Sequence, residues 1–175
     1  MRIWAIRVAA LAILLLLALL AVLGSRTLSR LPDTVVYFVQ SHEGSFTLER
    51  AYRRTVRGNA TEHARAAIRE LVEGPTPAED RDGLSTALPQ DLEVRGVDLQ
   101  GDVLYVDLSS AFERGGGSAL MRARLEQLRW TLTQPTDVRA LALSIEGEPL
   151  HVLGGEGLLV ERPWFRTDDA APPRW

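Results

Sequence analysis

The ten residues Glu70–Glu79, ELVEGPTPAE, set Gly74, Pro75 and Pro77 at the end of an apolar pattern with helical spacing. Glycine-rich turns can cradle a ligand, or they can simply turn the chain. Here each residue has a backbone role. Gly74 stands where a helix C-terminus takes positive φ, and Pro75 cannot continue the helix. Thr76 is a cap, Pro77 a first helical residue and Glu79 a third, so a short second helix starts at once and ends near Gly83. Leu84–Pro89 then runs extended toward a strand. No nucleophile, base or ligand set is visible in the stretch. It is punctuation between a helix and a sheet.

The rest of the order follows from this point. Upstream, Asn59 and Glu62 form a capping-box pair, and Ala64, Ala67, Ile68, Leu71 and Val72 share one stripe, predicting a helix over 59–73. Before it, Thr34–Gln40 (TVVYFVQ) reads as a strand buried on both faces, and Phe46–Val56 as a second strand with one wetter face. Downstream, Leu92–Leu99 and Val103–Leu108 make a hairpin around Gln100-Gly101-Asp102, with Gly96 as a bulge and Leu92, Val94 and Val97 inward. Ser109–Gly117 is a loop. Met121, Leu125, Leu128 and Leu132 predict a helix over 118–133, stopped by Pro135. Val138–Ile145 is a buried strand. Gly147 turns the chain into Pro149–Leu153, and Gly154–Gly157 breaks that strand before Leu158–Val160. The resulting order, ββα-ββα-ββ, predicts an α+β domain over 33–165: a mostly antiparallel sheet with two helices packed on one face.

The 175 residues leave room for one such domain and its appendages. Val8–Leu23 (VAALAILLLLALLAVL) has no polar side chain. As a helix it covers roughly 24 Å, and Ile3–Ile6 can extend it toward the ~30 Å hydrocarbon thickness while Arg7 snorkels. Arg2 and Arg7 favour a cytoplasmic N-terminus. The expected organisation is a cytoplasmic N-terminus at 1–7, a transmembrane anchor at 8–24, a linker at 25–32, and a flexible tail at 166–175. A cleaved signal peptide ending at Gly24 is the alternative, which would release the domain. In either case the domain is expected outside the cytoplasmic membrane.

Cysteine and lysine are both absent, which excludes disulfides, thiolate metal sites and lysine Schiff-base chemistry. From Ser25 onward 18 Arg face 23 Asp and Glu, a net charge of −5, so nucleic acid is not an expected partner.

With this order established, the residues ELVEGPT (70–76), LSTALP (84–89), YVDLSS (105–110), Phe112, LEQLRWTLTQ (125–134) and Val138–Gly147 ending in IEG together resemble the GerMN domain family of sporulation and germination proteins. The resemblance spans about Asp33 to Pro163. It implies a non-catalytic module, similar in shape to ring-building domains of secretion-like assemblies, acting by protein–protein contact. Relatives of this kind are membrane-tethered or lipidated envelope proteins. This chain carries one such domain rather than two, and no cysteine for lipid attachment.

His42, His63 and His151 show no ligand spacing, so no metal and no cofactor is expected. Asp107, Ser109 and Ser110 with His151 can be imagined as a hydrolytic set, but Gly116-Gly-Ser118-Ala-Leu120 fails the nucleophile-elbow pattern at its last position; a strand end with Ser caps is the plainer reading. No catalytic residue is expected. Gly116, Gly117 and Ser118, just before a helix, are a candidate weak anion-binding loop. Trp130 and Trp164 are the most suggestive side chains. Trp130 lies off the Met121–Leu132 stripe beside Arg129, so Arg129 and Trp130 are a candidate interaction surface; the competing reading packs Trp130 at the margin of the helix–sheet interface. The expected function is a membrane-anchored, non-catalytic interaction module of the bacterial envelope, binding another envelope protein or itself. The alternative is a peptidoglycan- or small-anion-binding module.

Overall fold

Strand β1 (Thr34–His42) is paired along its whole length with β2 (Ser45–Arg53) in antiparallel register, from Thr34 opposite Arg53 to His42 opposite Ser45. These belong to a computed structural model that describes residues 34–42, 45–54, 58–134, 137–153, 157–160 and 163–165. The chain divides into two units, Met1–Pro32 and Asp33–Trp175, and every described residue is in the second. The expected N-terminus (1–7), anchor (8–24), linker (25–32) and tail (166–175) lie outside the described residues. Among the described residues no helix is long and apolar enough to cross a membrane.

Helix α1 (Ala60–Glu73) begins with the expected box: Glu62 N donates to Asn59 Oδ1 at 3.0 Å, and Asn59 N donates to Glu62 Oε2 at 2.9 Å. It ends at Gly74, with φ 88° and ψ −172°, whose N–H donates to Glu70 O at 3.1 Å. Thr76 and Glu79 repeat the box at the start of α2 (Pro77–Arg81). Thr86 Oγ1 donates to Leu71 O at 2.7 Å, occupying one of the carbonyls the end of α1 leaves open.

Arg53 on β2 closes this region. Its Nε lies 3.0 Å from Glu70, its Nη1 and Nη2 donate to the two oxygens of Glu79 at 2.8 and 2.7 Å, and the guanidinium stands 5.2 Å from the Phe38 ring centroid. Both ends of ELVEGPTPAE are therefore tied to one guanidinium.

Strand β3 (Leu84–Ser85) pairs with β1 only at Val39 and Gln40. Strands β4 (Val94–Gln100) and β5 (Val103–Leu108) form the expected hairpin, and their register shifts between Val94 and Gly96, where the bulge was expected. Residues Ser110–Glu113 form a 3-10 turn that buries Ala111 and Phe112 inside the stretch expected as a loop. Helix α3 (Ser118–Leu132) follows, then β6 (Ala140–Ile145), which runs parallel to β5. Strand β7 (Glu148–Pro149) pairs with β6, β8 (Val152–Leu153) with β9 (Leu158–Leu159), and β10 (Trp164–Phe165) with β6.

The fold class is α+β with mostly antiparallel pairing, as expected, but the strands do not form one sheet. One sheet has the order β2-β1-β3; a second has β10-β6-β5-β4 with β7 beside β6; β8 and β9 form a separate ribbon. The break has a physical cause on β1. Before Val39 its second edge pairs with no strand among the described residues. It meets α3 instead: Tyr37 N donates to Thr131 Oγ1 (3.1 Å), Gln127 Nε2 donates to Tyr37 O (2.9 Å), and Gln134 Nε2 donates to Val35 O (2.6 Å). Gln127 Oε1 also accepts from Ala87 N at 2.7 Å. Three side chains at i, i+4 and i+7 satisfy groups that a neighbouring strand would otherwise take.

Helix α3 is consequently buried on nearly every side from Met121 to Leu132, rather than along one stripe. Met121, Leu125, Leu128 and Leu132 enter the main core with the α1 stripe, Leu104, Val106 and Leu108 of β5, and Leu141 and Leu143 of β6. Ala123 and Trp130 form a smaller core with Tyr37, Val39, Leu48 and Ala87. Arg124 is buried with no carboxylate partner among the described residues. Its Nε donates to Ala87 O (2.8 Å) and its Nη1 to Phe112 O (2.6 Å) and Arg114 O (3.0 Å), and burial lowers its pKa.

Candidate functional site

The β8–β9 ribbon comes down beside α3. Its alternation sends Leu153 and Leu158 toward the core and leaves their neighbours Val152 and Leu159, directly opposite each other, facing outward. Leu159 is 78% exposed and Val152 43%. Between ribbon and helix lies a groove of about 320 Å³, walled by Arg122, Leu125 and Glu126 of α3, by Leu158, Leu159 and Val160, and by Trp164 of β10.

One side of the groove is fixed by charge. Arg129 donates from Nη2 and Nε to Glu126 Oε2 at 2.6 and 3.1 Å, and from Nη1 to Phe165 O at 3.3 Å. The same guanidinium stands 5.0 Å from the Trp164 ring centroid and 5.7 Å from that of Trp130. Arg129 thereby ties β10 to α3 and orients both Glu126 and Trp164 in the groove wall. Arg122, one turn before Glu126 on the helix, is exposed at the rim. The arrangement can hold apolar side chains between an exposed cation and a pre-oriented carboxylate.

This corrects the expected interaction surface. Trp130 is 1% exposed, packed against Tyr37 at 5.6 Å between ring centroids and 59° between planes, and Arg129 is 5% exposed. Nor does Trp130 sit at the margin of the helix–sheet interface; it is enclosed in the smaller core with Tyr37, Val39 and Leu48. It lies off the leucine stripe because α3 has a second buried face, against the first sheet. Trp164, by contrast, does line the groove. Leu159, Val152, Arg122 and Glu126 were not singled out from the sequence. The available signal was Leu158-Leu159 itself: two adjacent leucines on a strand cannot both face the core.

The other candidates are spread apart. Asp107 accepts from Gly147 N at 2.8 Å and faces Arg95; Ser109 Oγ accepts from Glu93 N at 3.0 Å; Ser110 N donates to Glu146 Oε1 at 3.0 Å. His151 is exposed, and none of these bonds reaches it. Among the described residues no group of three or more His, Asp or Glu is placed to hold a metal ion. Gly117 is the N-cap of α3 with no side-chain cap bond, Gly116 has φ 83°, and Ser118 is exposed at the first turn. Arg114, nearby in sequence, is paired with Asp91.

Comparison with known proteins places these features in a family. The model described as "Germane: Sporulation and spore germination" matches residues 35–151, more than half of the chain. Among solved structures, the first GerMN domain of the sporulation protein GerM from Bacillus subtilis is similar over 78% of this chain and 100% of its own, at TM-score 0.61 and 21% identity. The tandem GerMN domains of the same protein match over 77% of this chain and 44% of theirs, at TM-score 0.60 and 21% identity. The chain thus spans less than half of that tandem structure. A putative lipoprotein from Clostridium perfringens is similar over 75% of this chain and 85% of its own, at TM-score 0.54 and 19% identity. At such identities the likeness is one of fold. No curated protein matches the chain in sequence. The family match over residues 35–151, joined to the same fold in the GerM domains, assigns this chain to the Germane (GerMN) family of sporulation and spore germination domains.

Proposed function

We propose that the chain is a membrane-anchored, non-catalytic interaction module of the bacterial cell envelope, held by residues 8–24 with its N-terminus inside and its GerMN domain outside. The observation that carries this reading is the pair of exposed apolar side chains Val152 and Leu159 beside a groove walled by α3 and β10. A folded domain gains by covering such surface, and a partner is the ordinary way to do so. The similarity to a lipoprotein adds support, since a lipid tether and a transmembrane segment do the same work. With no cysteine to carry a lipid, the apolar run Val8–Leu23 takes that place here. Protease added to spheroplasts digests the domain while leaving an N-terminal fragment; full protection overturns the topology. Cross-linking in intact cells, followed by purification and mass spectrometry, captures another envelope protein or the chain itself. Capture of neither overturns the interaction role.

A second reading, a peptidoglycan- or small-anion-binding module, is favoured by one observation, the N-terminus of α3 without a side-chain cap at Gly117. Saturable binding to purified cell wall, lost in Gly117→Trp, would support it. Gly117 is the informative position because a Cβ there meets nothing within 4 Å, whereas at Gly116 it would collide with the Leu120 side chain.

A further inference from the structure

Among the described residues, β2 is the one long strand edge left unprotected. Strands β3, β7 and β10 are two residues long. Strand β4 ends the second sheet, but a bulge interrupts it between Val94 and Gly96, and α1 packs against it. The second edge of β1 is taken by β3 and by side chains of α3. Strand β2 has none of these devices. It ends the first sheet and pairs with β1 through nine residues without a register shift or a proline. Among the described residues only β1 bonds to the main chain of Phe46–Ala51. We infer that this edge receives an extended segment of a partner protein, which adds a strand to the first sheet.

The side chains of β2 specify the chemistry of that segment. Leu48 lies in the smaller core and Ala51 in the main one, so 48, 50 and 52 share one face and 49, 51 and 53 the other. Glu49 and Arg50 are exposed on opposite faces, and neither makes an ion pair among the described residues. The first sheet is antiparallel throughout. An antiparallel segment therefore sets an acidic residue opposite Arg50 and, at its next position, a basic residue opposite Glu49. Tyr52, 59% exposed, meets the residue two positions before the acid, which is apolar or β-branched.

A second copy does not fit this edge. Two free edges joined about a two-fold axis keep each face of the sheet on its own side, so Arg50 never comes opposite Glu49. Registers centred on these residues oppose Glu49 to Glu49 or Arg50 to Arg50. The register that brings Glu49 opposite Arg53 meets a guanidinium already held by Glu70 and Glu79.

The inference rests on the reading of the domain as an interaction module, and adds to it the place and chemistry of the contact. The probes are two fluorescent peptides, TVTERTVT and the charge-reversed TVTRETVT, titrated by anisotropy into the full-length chain in detergent micelles. The first is expected to bind about 10-fold more tightly than the second. A chain carrying Glu49→Arg and Arg50→Glu reverses the preference, a result that mere destabilisation would not give. N-methylation of TVTERTVT at alternate residues abolishes binding in one phase of the alternation and spares it in the other, because only one edge of the peptide bonds to β2. Equal affinity for the two peptides, or a preference that the exchanged chain does not reverse, overturns the contact. So does efficient bismaleimide cross-linking between two Arg50→Cys chains, which would assign the edge to a second copy. Peptide binding that appears only after removal of residues 1–32 or 166–175 assigns the edge to the chain itself, and overturns it likewise. If an envelope partner is still captured in cells when the peptides fail, only the edge contact fails; if none is captured either, the module reading fails with it.

Discussion

Arg53 and Glu79 meet through two parallel hydrogen bonds of 2.8 and 2.7 Å, with Arg53 also held by Glu70 at the other end of the same ten-residue stretch. The clamp joins β2 to α1 and α2, across the punctuation between helix and sheet. Hydrogen bonding from Arg53 is the main cause that lowers the Glu79 pKa from 4.5 to about 2, with the Thr76 N–H acting in the same direction. The same bond raises the pKa of Arg53.

A pH dependence follows from Glu79. Its folded pKa is below its unfolded one, so the unfolded chain binds the proton first on acidification. The contribution is fully present above about 4.5, and is lost as pH falls from there toward 2. Urea midpoints measured across that window fall in the native chain, and fall less steeply in Glu79→Gln. Arg53→Ala removes the clamp at all pH values and costs about 1–2 kcal/mol near neutrality, because water screens both partly exposed carboxylates. Parallel acid profiles for the native chain and Glu79→Gln would rule this account out.

Trp130→Ala separates the buried reading from the surface one. Truncating a 1% exposed tryptophan packed on Tyr37 costs about 3–5 kcal/mol by denaturant unfolding. Had Trp130 been a surface contact, the change would stay within about 0.5 kcal/mol.

Gln127 supplies a test of opposite sign. In Gln127→Glu the carboxylate can accept from Ala87 N but cannot donate to Tyr37 O, and it would be buried as a charge. Its folded pKa is therefore raised. Protonated, it replaces the amide, so the variant is closest to the native chain in acid and loses ground as pH rises past the ordinary carboxylate range. Gln127→Ala, which leaves both backbone groups unpaired, costs about 2–4 kcal/mol at any pH. A pH-independent difference between Gln127→Glu and the native chain would contradict the assigned hydrogen bonds.

Gly74→Ala tests conformation alone. A Cβ at Gly74 meets only Thr86 Cγ2 at 3.7 Å, which is ordinary contact, but φ 88° with ψ −172° is a region that only glycine occupies readily. The expected loss is about 1–3 kcal/mol in thermal or urea unfolding. A loss under about 0.5 kcal/mol would mean that α1 can end in another way.

Local chemistry was legible in the sequence because it is decided within a few residues. Asn59 with Glu62, Gly74 with Pro75, Thr76 with Glu79, and the Gly96 bulge all appear in the structure where they were read. Contacts distant in sequence were not legible. The polar residues Gln127 and Thr131 look solvent-facing on a helical wheel, yet both are buried, because their partners are backbone groups of β1 some ninety residues earlier. That pairing divides the expected single sheet in two and gives α3 its second buried face, which takes Trp130 off the surface. The groove was missed for a related reason: it forms only where the last ribbon meets α3, and neither segment shows it alone.

The contacts between α3 and β1 also impose an order in time. Gln127, Thr131 and Gln134 lie 90, 94 and 99 residues after the backbone groups they hold. A chain emerging from the ribosome amino end first must therefore carry β1 half-finished while the intervening residues are made. Until Gln134 follows, the strand Thr34–His42 offers open amide and carbonyl groups to whatever it meets, including the same strand of a neighbouring nascent chain. The strand Thr34–His42 is made long before the side chains that complete its edge, and that edge stays open until they arrive.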